Sequence, residues 1–168
     1  VELSPKPEVA AAVSFDRPVS AFTDDAEEND TIVDDLYGAV ELYNDLDLTQ
    51  EGLITQQVGL RFNNITIPQG ATITNAYIAF RAKEGQSGNT NLIFHAQNSD
   101  NASTFVNIYY NIISRSKTLA SVLWNNVPTW VAPNTYQTPN LAPIIQEVIL
   151  RPGWLSGNSL VVIVSGSG

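Results

Sequence analysis

The sequence predicts an all-β, jelly-roll-like β-sandwich with one short α-helix near the C-terminus. Several short stretches alternate between apolar and polar residues, which is the pattern of a half-buried strand. One stretch, about 141–150, instead has apolar residues at helical spacing. At 168 residues the chain suits a single domain with a sizeable core, so these strands are expected to form one sandwich.

The first 23 residues are predicted to be an extension, and residues 24–168 the sandwich domain. After a proline-containing start, alternate residues from position 9 onward are apolar until Pro18 interrupts the pattern. This predicts a strand-like tail over 9–22, with one apolar face formed by Val9, Ala11, Val13 and Phe15.

The body of the domain shows a succession of strand signals. Val58, Leu60 and Phe62 alternate with polar residues or glycine, and the turn residues 68–70 follow. A strand is predicted over about 73–82. The glycine-containing segment 85–89 is then expected to close a hairpin onto a strand at 92–96.

The C-terminal part predicts the helix and a central strand. Thr138 or Asn140 can cap a helix over 141–150, Pro143 is tolerated in its first turn, and Arg151-Pro152-Gly153 ends it. Residues 160–164 are apolar on both faces, which predicts a buried, central strand.

Composition excludes several classes of function. Eight basic residues against seventeen acidic ones give a net charge of −9, which makes nucleic acids and anionic membranes poor partners. Cysteine is absent, so disulfides and thiolate metal sites are excluded.

The chain starts with Val rather than Met, which fits a secreted mature product. The triplets at Asn29, Asn64 and Asn101 are glycosylation candidates, although such triplets also arise by chance.

The residues do not predict an enzyme. His95 is the single histidine, and its strand pattern predicts a solvent-facing structural role. No Gly-x-Ser-x-Gly motif accompanies it. Aromatic rings can instead stack on sugar faces. Trp130 and Tyr136 are the candidates for this, whereas Trp124 and Trp154 are expected in the core.

Three segments carry a family resemblance: 57–62 (QVGLRF), 67–78 (IPQGATITNAYI) and 151–154 (RPGW). From about Asp24 onward the sequence resembles the carbohydrate-binding-module-like jelly-roll domains of large secreted bacterial proteins. The resemblance implies a secreted, extracellular or cell-surface protein and brings no catalytic residue with it.

The acidic segment after the tail is a candidate calcium site. Asp24, Asp25, Glu27 and Glu28 offer hard oxygen ligands, and Asp100 could join them from another loop. An acidic stretch is more often a solvated face. The resemblance favours Ca²⁺ as the cofactor.

Two departures from the family pattern suggest self-assembly. Domains of this kind continue past the Ser-Gly-Ser-Gly segment into a further apolar strand, and they do not require the tail before Asp24. We therefore expect a donor strand, Val9 to Phe15, to insert into a neighbouring copy and build a helical homopolymer.

The tail could instead fold back within its own chain, or the sequence could be a trimmed piece. The alternative function is a non-catalytic carbohydrate-binding module whose partner is a glycan or polysaccharide.

Overall fold

The structure is a computed structural model that describes residues 12–29, 40–41, 46–86 and 88–168. Val9 and Ala11, two of the four predicted donor residues, lie outside the described residues. Within the described ranges, no helix has the length and apolar character that crossing a bilayer requires.

The fold is an all-β sandwich-like arrangement with one short helix, as the sequence predicts. A large sheet has the strand order β2-β1-β4-β9-β6-β7, with β3 paired to the start of β4, and β5 and β8 form a second, two-stranded sheet. The elements in chain order are β1 (Asp25–Asn29), β2 (Val40–Glu41), β3 (Gln50–Glu51), β4 (Ile54–Phe62), β5 (Ala79–Arg81), β6 (Asn91–Ala96), β7 (Val122–Trp124), β8 (Thr135–Gln137), α1 (Ala142–Ile149) and β9 (Leu160–Ser167).

Strand β9 lies at the centre of the large sheet. It pairs antiparallel with β4 on one side and with β6 on the other, and residues 160–164 are all buried. Apolar residues on both faces suit a strand that is covered from both sides. The predicted central strand is therefore confirmed.

Helix α1 covers one face of the large sheet. Its buried residues, among them Ile144, Ile145 and Val148, pack on the alternating apolar residues of β4, β6 and β9. Asn140 Oδ1 accepts a hydrogen bond from Ala142 N at 2.9 Å, so the predicted capping residue does bind the start of the helix. The helix prediction is confirmed to within one residue at each end.

The opposite face of the large sheet is covered by the irregular segment 102–118. Phe105 and Ile112 are fully buried there against Ala26, Val161 and Ile163, and these five residues belong to a second core, separate from the main core that lies beneath α1. Gly59 of β4 makes room for this layer, because a Cβ at position 59 would lie 2.4 Å from Phe105 Cζ. The central strand β9 is thus buried on both faces.

The strand predicted over 73–82 is present only in part, and the hairpin predicted to follow it is wrong. Of the strand predicted over 73–82, residues 79–81 form β5, and β5 pairs with β8 instead of forming a hairpin with β6. Side chains satisfy the backbone of the earlier part: Ala76 N donates to Asn140 Oδ1 at 3.0 Å and Ile78 N donates to Thr138 Oγ1 at 3.1 Å. The carbonyls of Ala76 and Ile78 accept hydrogen bonds from Leu141 N and Thr138 N, so this part does lie beside residues 138–141. Side-chain acceptors replace the backbone carbonyls that a regular strand ladder would offer to the two N–H groups.

The described part of the tail also differs from the expected strand. Residues 12–24 form no strand in the single chain, and the first strand of the fold begins at Asp25. Residues 12–24 therefore have no neighbouring strand within the part of the chain that the structure describes.

Candidate functional site

The apolar side chains of the tail are largely unburied. Val13 is 89% exposed, Phe15 is 41% exposed and Phe22 is 66% exposed. The tail is held by other groups: Arg17 Nε donates to the Asn64 carbonyl at 3.0 Å, and Val19 packs partly against the main core. Residues 12–16 thus carry an apolar face that the chain's own core does not cover.

A cleft of about 560 Å³ opens beside β5. Phe80 and Arg81 of β5 line it, as do Leu46 and Leu48 from the segment before β3. Its lining also includes Trp130 and Gly168. Volumes of this size are typical of binding sites for small molecules or short peptide segments.

The edge of β5 that faces away from β8 has no strand neighbour among the described residues. Phe80 pairs with Tyr136, and Ala82 N donates to the Asn134 carbonyl at 2.9 Å, so these alternate residues direct their backbone groups toward β8. In an antiparallel pair the intervening residues point the other way. The backbone N–H and C=O of Arg81 are therefore directed to the outer edge.

Charged groups of both signs lie around the cleft. Asp25, Asp47 and Glu84 contribute carboxylates, whereas Arg81 and Lys83 contribute cations. Burial raises the pKa of Asp25 above its ordinary 3.8; a backbone hydrogen bond lowers it in part, and the neighbouring Asp24 raises it further. The cleft is therefore mixed in charge and does not select strongly for one sign.

The structure does not bring the five candidate calcium ligands together. Asp24 Oδ1 accepts a bond from Arg61 Nη1 at 2.6 Å, and its Oδ2 binds Asn63. Asp100 Oδ1 binds Arg151 Nε at 2.6 Å. Among the described residues, no group of three or more acidic or histidine side chains converges on one point. Calcium binding stays a prediction.

The two glutamates of β1 point to opposite faces of the sheet and bind the protein itself. Glu28 is 0% exposed, and its carboxylate accepts hydrogen bonds from Asn111 N, Ile112 N and Ile113 N at 2.6–2.8 Å. Glu27 accepts bonds from the Asp47 N–H and from Gln56 Nε2. Both act here as anchors for backbone segments distant in sequence.

The aromatic candidates also differ from expectation. Trp130 and Tyr136 stack on each other with ring centroids 4.9 Å apart, and both are half-buried. Trp154 is fully buried, as expected for a core residue. Tyr109 and Tyr110 instead form a pair of exposed rings, 50% and 54% exposed, with their centroids 6.4 Å apart.

The three glycosylation candidates lie in different environments. Asn64 is exposed in an irregular segment with φ +52°, and Thr66, two positions later, is exposed as well. Asn101 is exposed, but its Oδ1 accepts a bond from Ser159 N at 2.9 Å. Asn29 lies in β1 opposite Gln56. Asn64 therefore offers the most accessible side chain of the three.

His95 occupies the alternating position that the sequence predicts. It lies on β6 between the buried residues Phe94 and Ala96, and its Nδ1 is 3.1 Å from the Thr118 carbonyl oxygen. The imidazole is half-buried rather than open to solvent, and this contact gives it a structural role.

Sequence reasoning missed the cleft and the buried role of Glu28. The cleft is lined by residues as far apart as Asp25 and Gly168, and the amides that bind Glu28 are 83 to 85 positions away. No local pattern encodes such contacts. Comparison of the chain with protein-family models, with curated proteins and with solved structures finds no match.

Proposed function

We propose that this chain is a structural subunit of an extracellular filament, in which the N-terminal segment of each copy inserts into the next. The observation that carries the proposal is the exposed apolar face of the tail. Val13 is 89% exposed and residues 12–24 belong to no strand of their own molecule. Burying such a face in a second copy releases apolar surface from water.

The tail and its receiving surface belong to different parts of the molecule, so each copy can give and receive at once. A contact between two different surfaces is heterologous and propagates into a fibre unless the rotation happens to close a ring. The filament therefore needs one kind of contact, repeated along its length.

The test is electron microscopy of the purified chain and of tail variants. We expect the double variant Val13→Asp and Phe15→Asp, and a variant lacking residues 1–22, to remain unassembled. A charge placed on the apolar face would have to be buried without a partner, which is costly.

The matched control is Leu119→Asp, because Leu119 is 97% exposed and lies outside the tail. This control should form filaments like the parent. Filaments of normal length and abundance from the tail-deleted chain would show that the tail does not drive assembly.

The extracellular location, the bound calcium and the glycans are finer parts of the same proposal. The family resemblance supports the location, and Asn64 is the triplet whose exposure best suits a glycan. Mass spectrometry of native material should find added sugar mass on the peptide containing Asn64. An unmodified peptide there would remove the glycan from the proposal.

A second candidate function is non-catalytic carbohydrate binding, and the exposed pair Tyr109 and Tyr110 favours it. Two adjacent, half-open rings provide the apolar area that packs against the face of a sugar. Calorimetry over a panel of polysaccharides should give saturable binding.

The variant Tyr109→Ala should weaken that binding by about threefold to tenfold, in line with the loss of one aromatic contact. Tyr77→Ala is the control, since Tyr77 is also 50% exposed and lies elsewhere. Equal affinity in both variants would exclude the tyrosine pair as the binding surface.

A further inference from the structure

We propose that the cleft beside β5 is the receiving site for the tail, and that residues 13–15 of a second copy pair there with the outer edge of β5. This inference rests on the proposed function and deepens it by naming the acceptor. Three observations support it: the size of the cleft, the outer edge of β5, which has no strand neighbour among the described residues, and the match between cleft lining and tail.

The size of the cleft limits the inserted segment to a few residues. A strand occupies about 3.3 Å along its length, about 4.8 Å between neighbours and about 10 Å between sheets, or about 160 Å³ per residue. A cleft of about 560 Å³ therefore accommodates about three to four residues. This is shorter than the donor strand Val9 to Phe15 that the sequence pattern predicts, which has seven residues.

The outer edge of β5 supplies backbone partners for such a segment. Arg81 directs its N–H and C=O away from β8, toward the side that has no strand among the described residues. An extended segment lying there would add a third strand to the β5–β8 sheet. Main-chain pairing of this kind gives affinity, and side-chain pockets give register.

Residues 13–15 fit the lining of the cleft. Val13 and Phe15 are two positions apart and so would share one face of an extended segment, while Ser14 would face the other way. The lining offers Leu46, Phe80 and Leu92 as apolar partners. Within a single chain Val13 is 89% exposed, so it is not packed into the cleft of its own molecule.

The first test changes one backbone group of the acceptor. Arg81→Pro removes the outward N–H and leaves the bonds between β5 and β8 in place, and proline is tolerated on an edge strand. Arg81→Ala is the matched control, because it removes the same side chain and keeps the N–H. We expect the proline variant to need about a tenfold higher concentration to form filaments than the alanine variant.

The second test traps the contact and does not depend on the proline variant. The chain has no cysteine, so a Ser14→Cys copy mixed with an Arg81→Cys copy can form a mixed disulfide only through the two added thiols. We expect this bond under mild oxidation, and we expect none when Leu119→Cys replaces Arg81→Cys. Peptide mass identifies which copies are joined.

The outcomes separate the two proposals. Filaments from the parent, with equal assembly of the proline and alanine variants and no mixed disulfide, would overturn the β5 acceptor and leave tail-driven assembly standing. A parent chain that never assembles would overturn both. An intramolecular disulfide in a chain carrying both Ser14→Cys and Arg81→Cys, formed in preference to the mixed one, would show that the tail fills its own cleft.

Discussion

Glu28 is a buried carboxylate with a purely internal role. It is 0% exposed, and it accepts hydrogen bonds from three consecutive backbone N–H groups at 2.6–2.8 Å. Hydrogen bonds to a charged acceptor are roughly twice as strong as neutral ones. Glu28 thereby fixes the segment that carries Ile112 into the second core.

The variant Glu28→Gln should therefore lower the free energy of unfolding by about 2–3 kcal/mol, because an amide NH₂ would face backbone donors that then lack an acceptor. Urea unfolding measures this. Asp16→Asn is the control, since Asp16 is exposed and its side chain should matter little. A loss no greater than that of the control would contradict the anchoring role.

Asp25 gives a second residue-scale prediction, through pH. Burial raises its pKa in the folded protein above 3.8, so the folded state holds the proton to a higher pH than the unfolded chain. Its contribution to stability is complete below about pH 3.8 and is lost as pH rises through the raised pKa. Asp25→Asn should match the parent in melting temperature at pH 3 and exceed it at pH 7. The melts are run with chelator, so that loss of a candidate calcium ligand does not affect the comparison. A lower melting temperature for Asp25→Asn than for the parent at pH 7 would contradict the prediction.

At the scale of elements, β4 joins the two cores, and Gly59 is the residue that lets it do so. Phe105 lies against the bare backbone of Gly59 and carries the Arg115 guanidinium 4.4 Å above its ring. Gly59→Ala would place a methyl group 2.4 Å from Phe105 Cζ, and the ring, which is 0% exposed, would have to shift within the core.

We expect Gly59→Ala to cost about 1–3 kcal/mol of unfolding free energy, which is typical of an overpacked core. The matched control is Gly85→Ala, whose new Cβ would meet its nearest neighbour at 3.6 Å and should be tolerated. Thermal melts compare the two. If both variants melt with the parent, Phe105 is not held as closely as the structure indicates.

The same elements show what local pattern can predict. β4, β6 and β9 were predictable because each buries alternate or continuous apolar residues, and the period of a strand is visible in the sequence. Helix α1 was predictable because its apolar spacing, Pro143 and the following Arg151-Pro152-Gly153 agree.

Pairing between distant segments was not predictable from pattern. β5 pairs with residues 135–137, and the alternation of residues 79–81 does not indicate which segment will pair with them. Likewise, the acidic residues between positions 24 and 28 predict oxygen ligands equally well for a cation, for Arg61 or for backbone amides. The three-dimensional arrangement decides among these, and it places Asp24 on Arg61 and Glu28 on amides.

At the scale of the whole molecule, the proposed calcium ion can be tested through its effect on the melting temperature. An ion bound by the folded state alone would stabilise it by about 2.7 kcal/mol at a free concentration 100 times its dissociation constant, or about 5–10 °C in melting temperature. We expect excess chelator to lower the melting temperature by this amount and added calcium to restore it. A melt unchanged by either addition would remove calcium from the proposed function.

The position of β9 in the large sheet also governs when the chain can fold. β4 and β6 meet through β9, so neither core can close before residues 160–167 have been synthesised. Pairing over such long sequence separations makes folding slow. The nascent polypeptide should therefore stay unfolded until synthesis passes that point, which is the state required by a translocation channel that threads extended chains.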